Sequence, residues 1–275
     1  MSIGNVLRTL LMPTRENCLV CGQSAKLGLM LPLLCERCAS RIPWIVKPRC
    51  VVCGRAQGCP DCQRPEAKAR AFALNRSAVQ YDATMREWIS AYKYGGVERL
   101  AEPFSIMLEQ AYRRMCREEV GRAEAAHRAR FKSHVFKADL ITWVPVSEKR
   151  LQERGFNQAE LMARKLAKRL KLPARDLLIR NVHTGKQSFK SRAERLRNLD
   201  DAFSLLPNLD PGGFQKWEAI GSPKRPGGSF PIVVLLVDDI YTTGTTAAVC
   251  ASVLKGLENV LDRPVLVYSL TLARS

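Results

Sequence analysis

Long apolar runs are missing from this chain of 275 residues. No uninterrupted stretch approaches the roughly 20 residues that a helix needs to cross a bilayer. The N-terminal stretch Ile3 to Met12 is too short, contains Arg8, and lacks a small-residue cleavage site. The chain is therefore expected to remain in the cytoplasm, with no integral membrane segment. Histidine is scarce too. His127, His134 and His183 have no metal-like partners around them in the sequence and are assigned no site. Acidic residues are in short supply, 26 against 44 Lys and Arg, which leaves a formal charge of +18 and points to a polyanionic partner. Cysteine, by contrast, is abundant. Eight of the ten sit in regularly spaced pairs, a pattern that suits metal better than disulfides and fits a reducing compartment.

The segment from Val233 to Thr246 carries the most chemistry. Val233 to Val237 is an aliphatic run of the kind that is buried on both faces of a parallel sheet, and Asp238 and Asp239 stand at its carboxyl end. Ala247 to Leu257 is apolar and free of Pro, so a helix is predicted to begin just after Gly244. Its first N–H groups, with the hydroxyls of Thr242, Thr243, Thr245 and Thr246, can surround a phosphate at the positive end of the helix dipole. The carboxylates would face ribose hydroxyls and Mg²⁺, a cation that prefers oxygen ligands. The bland alternative is a strand running into a capped helix. A cap needs one Thr or Asp, whereas six occur here in nine positions.

Val-Asp-Asp-Ile-Tyr-Thr-Thr-Gly-Thr-Thr (237–246) resembles the phosphoribosyl pyrophosphate (PRPP) motif of type I phosphoribosyltransferases. Further segments narrow the likeness. The upstream Cys pairs, Tyr92-Lys93-Tyr94-Gly95, Val144-Pro145-Val146, Arg150-Leu151 and Arg154-Gly155-Phe156-Asn157-Gln158 resemble the ComF family of bacterial competence and DNA-utilisation proteins. With Gln187 and the stretch Arg195 to Phe203, the similarity touches nearly the whole chain. Members commonly carry His where Ser147 stands and Ala where Thr245 stands, and shorter connections than residues 117–137 and 207–230 are expected. The resemblance implies an α/β fold, a type I phosphoribosyltransferase-like doubly wound parallel sheet preceded by a small Cys-rich zinc-ribbon module. It also implies single-stranded DNA and the competence or recombination machinery as partners, with recruitment to the inner face of the membrane by a DNA-uptake complex.

The pairs Cys18/Cys21, Cys35/Cys38, Cys50/Cys53 and Cys59/Cys62 are four C-x-x-C turns within 45 residues. Two such turns close a tetrahedral Cys₄ site with no open position for catalysis. Gly22 and Gly54 follow the second Cys of their pairs, where positive φ is often needed. A sequential arrangement gives two zinc ions. An interleaved arrangement, a single zinc, or redox-active disulfides remain alternatives at this level. A segment with so little apolar periodicity would draw its folding energy from the metal. Cys116 and Cys250 lie on apolar helical faces and read as small buried hydrophobes.

The boundary between a module over 1–68 and a domain over 69–275 falls near Pro65 to Arg70, where the cysteines stop. Strands are predicted at Phe72 to Tyr81, Asp139 to Val146, Asp176 to Asn181, Val233 to Val237 and Val265 to Leu272, all in one parallel set. Helices are predicted at Met85 to Tyr94, from about Leu100 into the Arg114 to Lys137 region, and at Asn157 to Leu170. Pro207 to Pro231 reads as a long connection. Alternating strands and helices put the ligand beyond the carboxyl ends of the strands.

Basic residues gather at that edge. Ser147, Lys149 and Arg150 follow Val146 where the resemblance implies a diphosphate-binding loop. By resemblance, Thr184 to Arg197, with Lys186, Gln187, Ser188, Lys190, Arg192 and Arg195, is a hood that closes over PRPP. Its alternative is an ordinary basic loop. In a transferase, Asp238 and Asp239 would hold the ribose while Mg²⁺ and basic side chains neutralise the departing diphosphate. No residue is assignable as the base that selects a nucleophile, so turnover and acceptor stay open: a metabolic phosphoribosyltransferase or a non-catalytic nucleotide sensor fits the same motif. From Ser147 to Asp200 there are 15 Lys and Arg against 6 Asp and Glu, a net +9 that is half of the whole excess. Such a surface attracts nucleic acid through its phosphates. Trp44, near Arg41, Lys47, Arg49 and Arg55, would add base stacking.

Overall fold

A computed structural model describes residues 16–63, 70–125, 137–181, 202–207, 209 and 231–275. Its centre is a four-stranded, all-parallel sheet of β3 (Phe72–Gln80), β8 (Val265–Arg274), β7 (Ile232–Tyr241) and β4 (Leu140–Trp143), in that spatial order. Alternate residues of β7 enter different cores: Val233, Leu235 and Val237 pack on one side, Ile232, Val234 and Leu236 on the other. That is why an unbroken aliphatic run is required there. Each such side chain contributes roughly 1.5–3 kcal/mol by leaving water.

Helices cover both faces. α2 (Ala83–Tyr94), α3 (Ala101–Ala125) and α5 (Gln158–Leu170) bury Trp88, Phe104, Met107 and Leu166 against the first face. α6 (Thr245–Lys255) buries Val249, Cys250 and Leu254 against the second, followed by the short α7 (Leu257–Leu261). Asp82 caps α2, its side chain accepting from Met85 N, and Asn157 caps α5 by accepting from Ala159 N and Glu160 N. Cys250 is fully buried and Cys116 half-buried, as apolar helical positions require.

The cysteine-rich segment holds the hairpin β1 (Glu16–Asn17) and β2 (Ser24–Ala25) and the one-turn α1 (Glu36–Ala39). It lies along the outer edge of β3. Ile45 N donates to Ala78 O, Gln80 N to Pro43 O, and Asn75 N to Val52 O, so the polar edge of the sheet is paired. Cys18, Cys35 and Cys38 join the core under α2 and α3, whereas Cys53 joins the core under α6.

Several predicted elements need correction. Asp176 to Asn181 is not part of the parallel set: β5 (Leu178–Arg180) pairs antiparallel with β6 (Phe203–Leu205), and an isolated parallel bridge joins Ala174, just before it, to Ile141 of β4. β4 is shorter than predicted because its ladder with β7 meets Pro145, which has no N–H. Residues after Ser147 are not a loop but the helix α4 (Glu148–Arg154), closed by Gly155 at φ +77°. β7 continues through both aspartates to Tyr241, because β8 keeps pairing with it as far as Arg274. The predicted second helix is seen to Ala125. Most of the Pro207 to Pro231 connection lies outside the described residues.

Candidate functional site

The site is built where β7 turns into α6. Gly244 takes φ +85° and precedes the first helical residue, Thr245, so the helix begins where the sequence predicts. The hydroxyls of Thr243 and Thr245 lie 2.8 Å apart, and Thr243 Oγ1 accepts from Thr245 N at 3.5 Å. Thr242 and Thr243 are exposed, Thr245 and Thr246 half-buried. First-turn amides have no acceptor within the helix, which leaves those without a side-chain acceptor able to donate to an anionic oxygen. A Cβ on Gly244 would collide with the Tyr241 hydroxyl. The glycine is required by packing as well as by its dihedral angle.

The two carboxylates are unequal. Asp238 accepts from Asp239 N at 2.8 Å. Burial, and then the neighbouring Asp239 charge, push Asp238 up to about 7, against the opposing influence of Asp239 N–H, Lys93 and Arg180. Asp239 instead forms an ion pair, its Oδ2 2.6 Å from Lys93 Nζ. The side chains of Lys93 and Asp239 are 14% and 18% exposed.

Lys93 was legible only as part of Tyr92-Lys93-Tyr94-Gly95, with no role attached. Its place in the last turn of α2 carries it across the sheet edge to β7. The other quoted segments converge with it. Tyr92 donates its hydroxyl to Gln158 O at 3.0 Å, and Asn157 donates to Val144 O at 3.1 Å. Arg154 donates to Tyr94 Oη at 2.8 Å and to Gln158 Oε1 at 2.8 Å, with its guanidinium 4.8 Å above the Tyr94 ring.

Of the diphosphate candidates, Ser147 follows the β4 end, where Val144 N donates to Val237 O beside Asp238. Its hydroxyl caps α4, accepting from Arg150 N at 3.4 Å. Lys149 and Arg150 are exposed, and Lys149 is 3.9 Å from Glu153. Lys186, Gln187, Lys190 and Arg192 lie outside the described residues, as do the three histidines. Trp44 is half-buried against the first core, and its backbone bridges Val79 of β3.

The cysteines resolve into two sequential groups, Cys18/Cys21/Cys35/Cys38 and Cys50/Cys53/Cys59/Cys62, each with its sulfurs within 4.8 Å of one another. All are free thiols. The interleaved alternative and the disulfide alternative are thereby set aside. A tetrahedral zinc with Zn–S of about 2.3 Å separates its sulfurs by roughly 3.8 Å. Cys21 and Cys35 are 3.8 Å apart, Cys53 and Cys59 3.2 Å. Gly22 and Gly54 take φ +69° and +72°. The Gln23 N–H lowers Cys21 to about 6, while burial among the other thiols raises Cys53 to about 12. Clustered thiols in this state are relieved by a shared divalent cation. The two groups therefore suit two structural zinc sites.

A parallel four-stranded sheet with helices on both faces, behind a module with two four-cysteine groups, defines an α/β protein with an N-terminal module consistent with zinc ribbons. No family model matches the chain. It is 28% identical over 220 residues to the Competence protein ComFC of Bacillus subtilis, covering 78% of this chain and 74% of that one. It is 27% identical over 242 residues to the Competence protein ComFC of Streptococcus pneumoniae, covering 83% and 89%. It is 28% identical over 244 residues to the DNA utilization protein YhgH of Escherichia coli O157:H7, covering 82% and 92%. Over most of its length the chain is thus similar to competence and DNA-utilisation proteins of the ComF kind.

Proposed function

We propose that this chain is a ComF-family protein that acts in DNA uptake or in the handling of internalised DNA, binding Mg·PRPP or a related ribose phosphate at the β7–α6 turn and single-stranded DNA on its basic surface. The observation that carries the ligand reading is the end of β7. Asp238 and Asp239 come from adjacent positions of one strand, one held near neutrality and the other paired with Lys93, directly before a Thr-Gly turn that opens a helix. Asp238 and Asp239 hold the ribose hydroxyls, and Thr242, Thr243, Gly244, Thr245 and Thr246 hold the 5′-phosphate. Ser147, Lys149 and Arg150, with Lys186, Lys190 and Arg192 of the hood, receive the diphosphate. Magnesium supplies charge neutralisation for the diphosphate when bound.

The relatives' names support the DNA part of the reading. So does Tyr94, which is 68% exposed beside Arg154 and offers an aromatic face near the site. Residues 1–68 serve as the zinc module and 69–275 as the ligand-binding domain. The protein works in the cytoplasm, brought to the membrane's inner face by an uptake complex. Among the described residues, no helix is long and apolar enough to cross a membrane.

Calorimetry with Mg·PRPP, combined with a diphosphate-release assay run with and without single-stranded DNA and with a panel of nucleobases, tests the proposal. Binding of both Mg·PRPP and DNA supports it. Turnover with a base and indifference to DNA would assign a metabolic transferase, and binding without diphosphate release a non-catalytic sensor. Failure of Mg·PRPP to bind at all refutes the ligand reading.

A further inference from the structure

Two arginines reach from the second cysteine group to the turn after β7. Arg70 donates from Nη1 to Cys62 Sγ at 2.9 Å and from Nη2 to Thr243 O at 3.1 Å. Arg274, at the end of β8, donates from Nη2 to Cys53 Sγ at 3.6 Å and from Nη1 to Tyr241 O and Thr242 O at 3.3 and 2.8 Å. A guanidinium is planar, permanently charged and forked, so one side chain can hold a sulfur and a carbonyl in fixed relation. The same two groups brace the aromatic floor of the turn. Arg274 stacks 4.8 Å from the Tyr241 ring centre and Arg70 lies 5.9 Å from that of Phe72, while the two rings meet edge to face at 6.3 Å.

The three carbonyls belong to consecutive peptide planes. A peptide unit is rigid, so holding Tyr241 O also orients Thr242 N–H, holding Thr242 O orients Thr243 N–H, and holding Thr243 O orients Gly244 N–H. These amides lead into the first turn of α6. If the arginines only neutralised thiolates, a contact to sulfur would suffice. Each also donates to backbone carbonyls, and the three acceptors Tyr241 O, Thr242 O and Thr243 O fall on one three-residue stretch.

We infer that Arg70 and Arg274 are positioning residues through which the second four-cysteine centre sets the shape of the phosphate-binding turn. The inference rests on reading that turn as a ribose-phosphate cradle. Ligand affinity is then coupled to the integrity of the centre at Cys50, Cys53, Cys59 and Cys62, and by thermodynamic reciprocity ligand binding steadies the centre.

The test uses the full zinc-loaded chain, Mg·PRPP as the probe, and the variants Arg70→Lys and Arg70→Lys/Arg274→Lys. Lysine keeps the positive charge beside the thiolates but has no fork to span sulfur and carbonyl. Zinc content is expected to stay at the wild-type value. Hydrogen exchange at Thr242, Thr243 and Gly244 in the probe-free protein is expected to accelerate, and Mg·PRPP affinity to fall on the order of tenfold in the double variant. Mg·PRPP should also slow chelator-driven zinc loss from the wild type but not from the double variant, an effect that arginines of purely structural role do not produce. Unchanged exchange and affinity in the double variant overturn the inference. If the wild type does not bind Mg·PRPP, the ligand reading fails by itself, and the exchange measurement alone decides whether the arginines hold the turn. Should the double variant not fold, Arg70→Lys, altered at a half-buried position, decides by the same readouts.

Discussion

Asp238 sits where the fold disfavours its charge. Its folded value of about 7 lies above the ordinary 3.8, so the native state holds the proton more tightly than the unfolded chain. The stability this contributes is complete below the unfolded value and drains away as pH rises towards 7. Asp238→Asn stays neutral and still accepts from Asp239 N. It is expected to melt above the wild type at pH 8, with a smaller gain at pH 5, while losing most Mg·PRPP affinity. Wild-type affinity should strengthen as pH rises through about 7. Equal melting temperatures for the two proteins at pH 8 would show that the carboxyl is not held up by its surroundings.

Gly244→Val is expected to cost about 1–3 kcal/mol in φ strain. Denaturant unfolding reads that loss directly. The added Cβ meets the Tyr241 hydroxyl beneath the turn. Gly244→Ala combined with Tyr241→Phe should therefore be less damaging than Gly244→Ala alone. Equal losses would exclude the Tyr241 hydroxyl, though not the ring carbon behind it, as the obstacle.

At the scale of elements, α2 and β7 are joined by the pair Lys93–Asp239, which the sequence hides because 145 positions separate the partners and neither local pattern refers to the other. An amide replaces Asp238 more readily than Asp239. Asp239→Asn leaves a mostly buried ammonium without its partner, and loss of one member of such a pair costs up to about 3–5 kcal/mol when burial is complete. The pair here is partly exposed, so the loss should be smaller. Lys93→Met combined with Asp239→Asn should recover part of it, and additive losses in that double-mutant cycle would argue against the ion pair.

The same contrast explains what was legible. β7 and α6 could be read because a two-face aliphatic run and a single Gly with positive φ are local signals. Both cysteine groups were legible by spacing, although their pairing needed three dimensions. α4 was missed because a seven-residue helix with no buried residue carries no apolar period. β5 was misplaced because Leu177 and Leu178 look equally apolar in a parallel strand or in a hairpin, and its partner Phe203 follows a long intervening segment. Arg70 and Arg274 escaped notice because a linker arginine and a terminal arginine have no pattern around them.

On the scale of the whole molecule, the cysteine-rich segment is not an appendage. It pairs with the outer edge of β3, places Cys18, Cys35 and Cys38 in one core and Cys53 in the other, and is tied to α3 by Arg76, which donates to Val51 O at 3.2 Å and to Glu118 Oε2 at 2.7 Å. Gly54 lies so close to β3 that a Cβ there would approach Asn75 O to 2.7 Å. Sequence reading alone expects metal removal to unfold residues 1–70 and spare the sheet. The packing implies a wider effect, because opening either Cys₄ group uncovers an unpaired strand edge and apolar side chains on both faces. Freshly purified, reduced protein should hold about two zinc ions per chain by elemental analysis, as two closed tetrahedral sites require. Chelation should then lower the melting temperature of the whole chain in a single cooperative step and promote association through β3. Circular dichroism with light scattering during chelator titration reads both. Two separate transitions, with the α/β part melting at its original temperature after zinc has left, would show that the sheet stands without its zinc-bound edge.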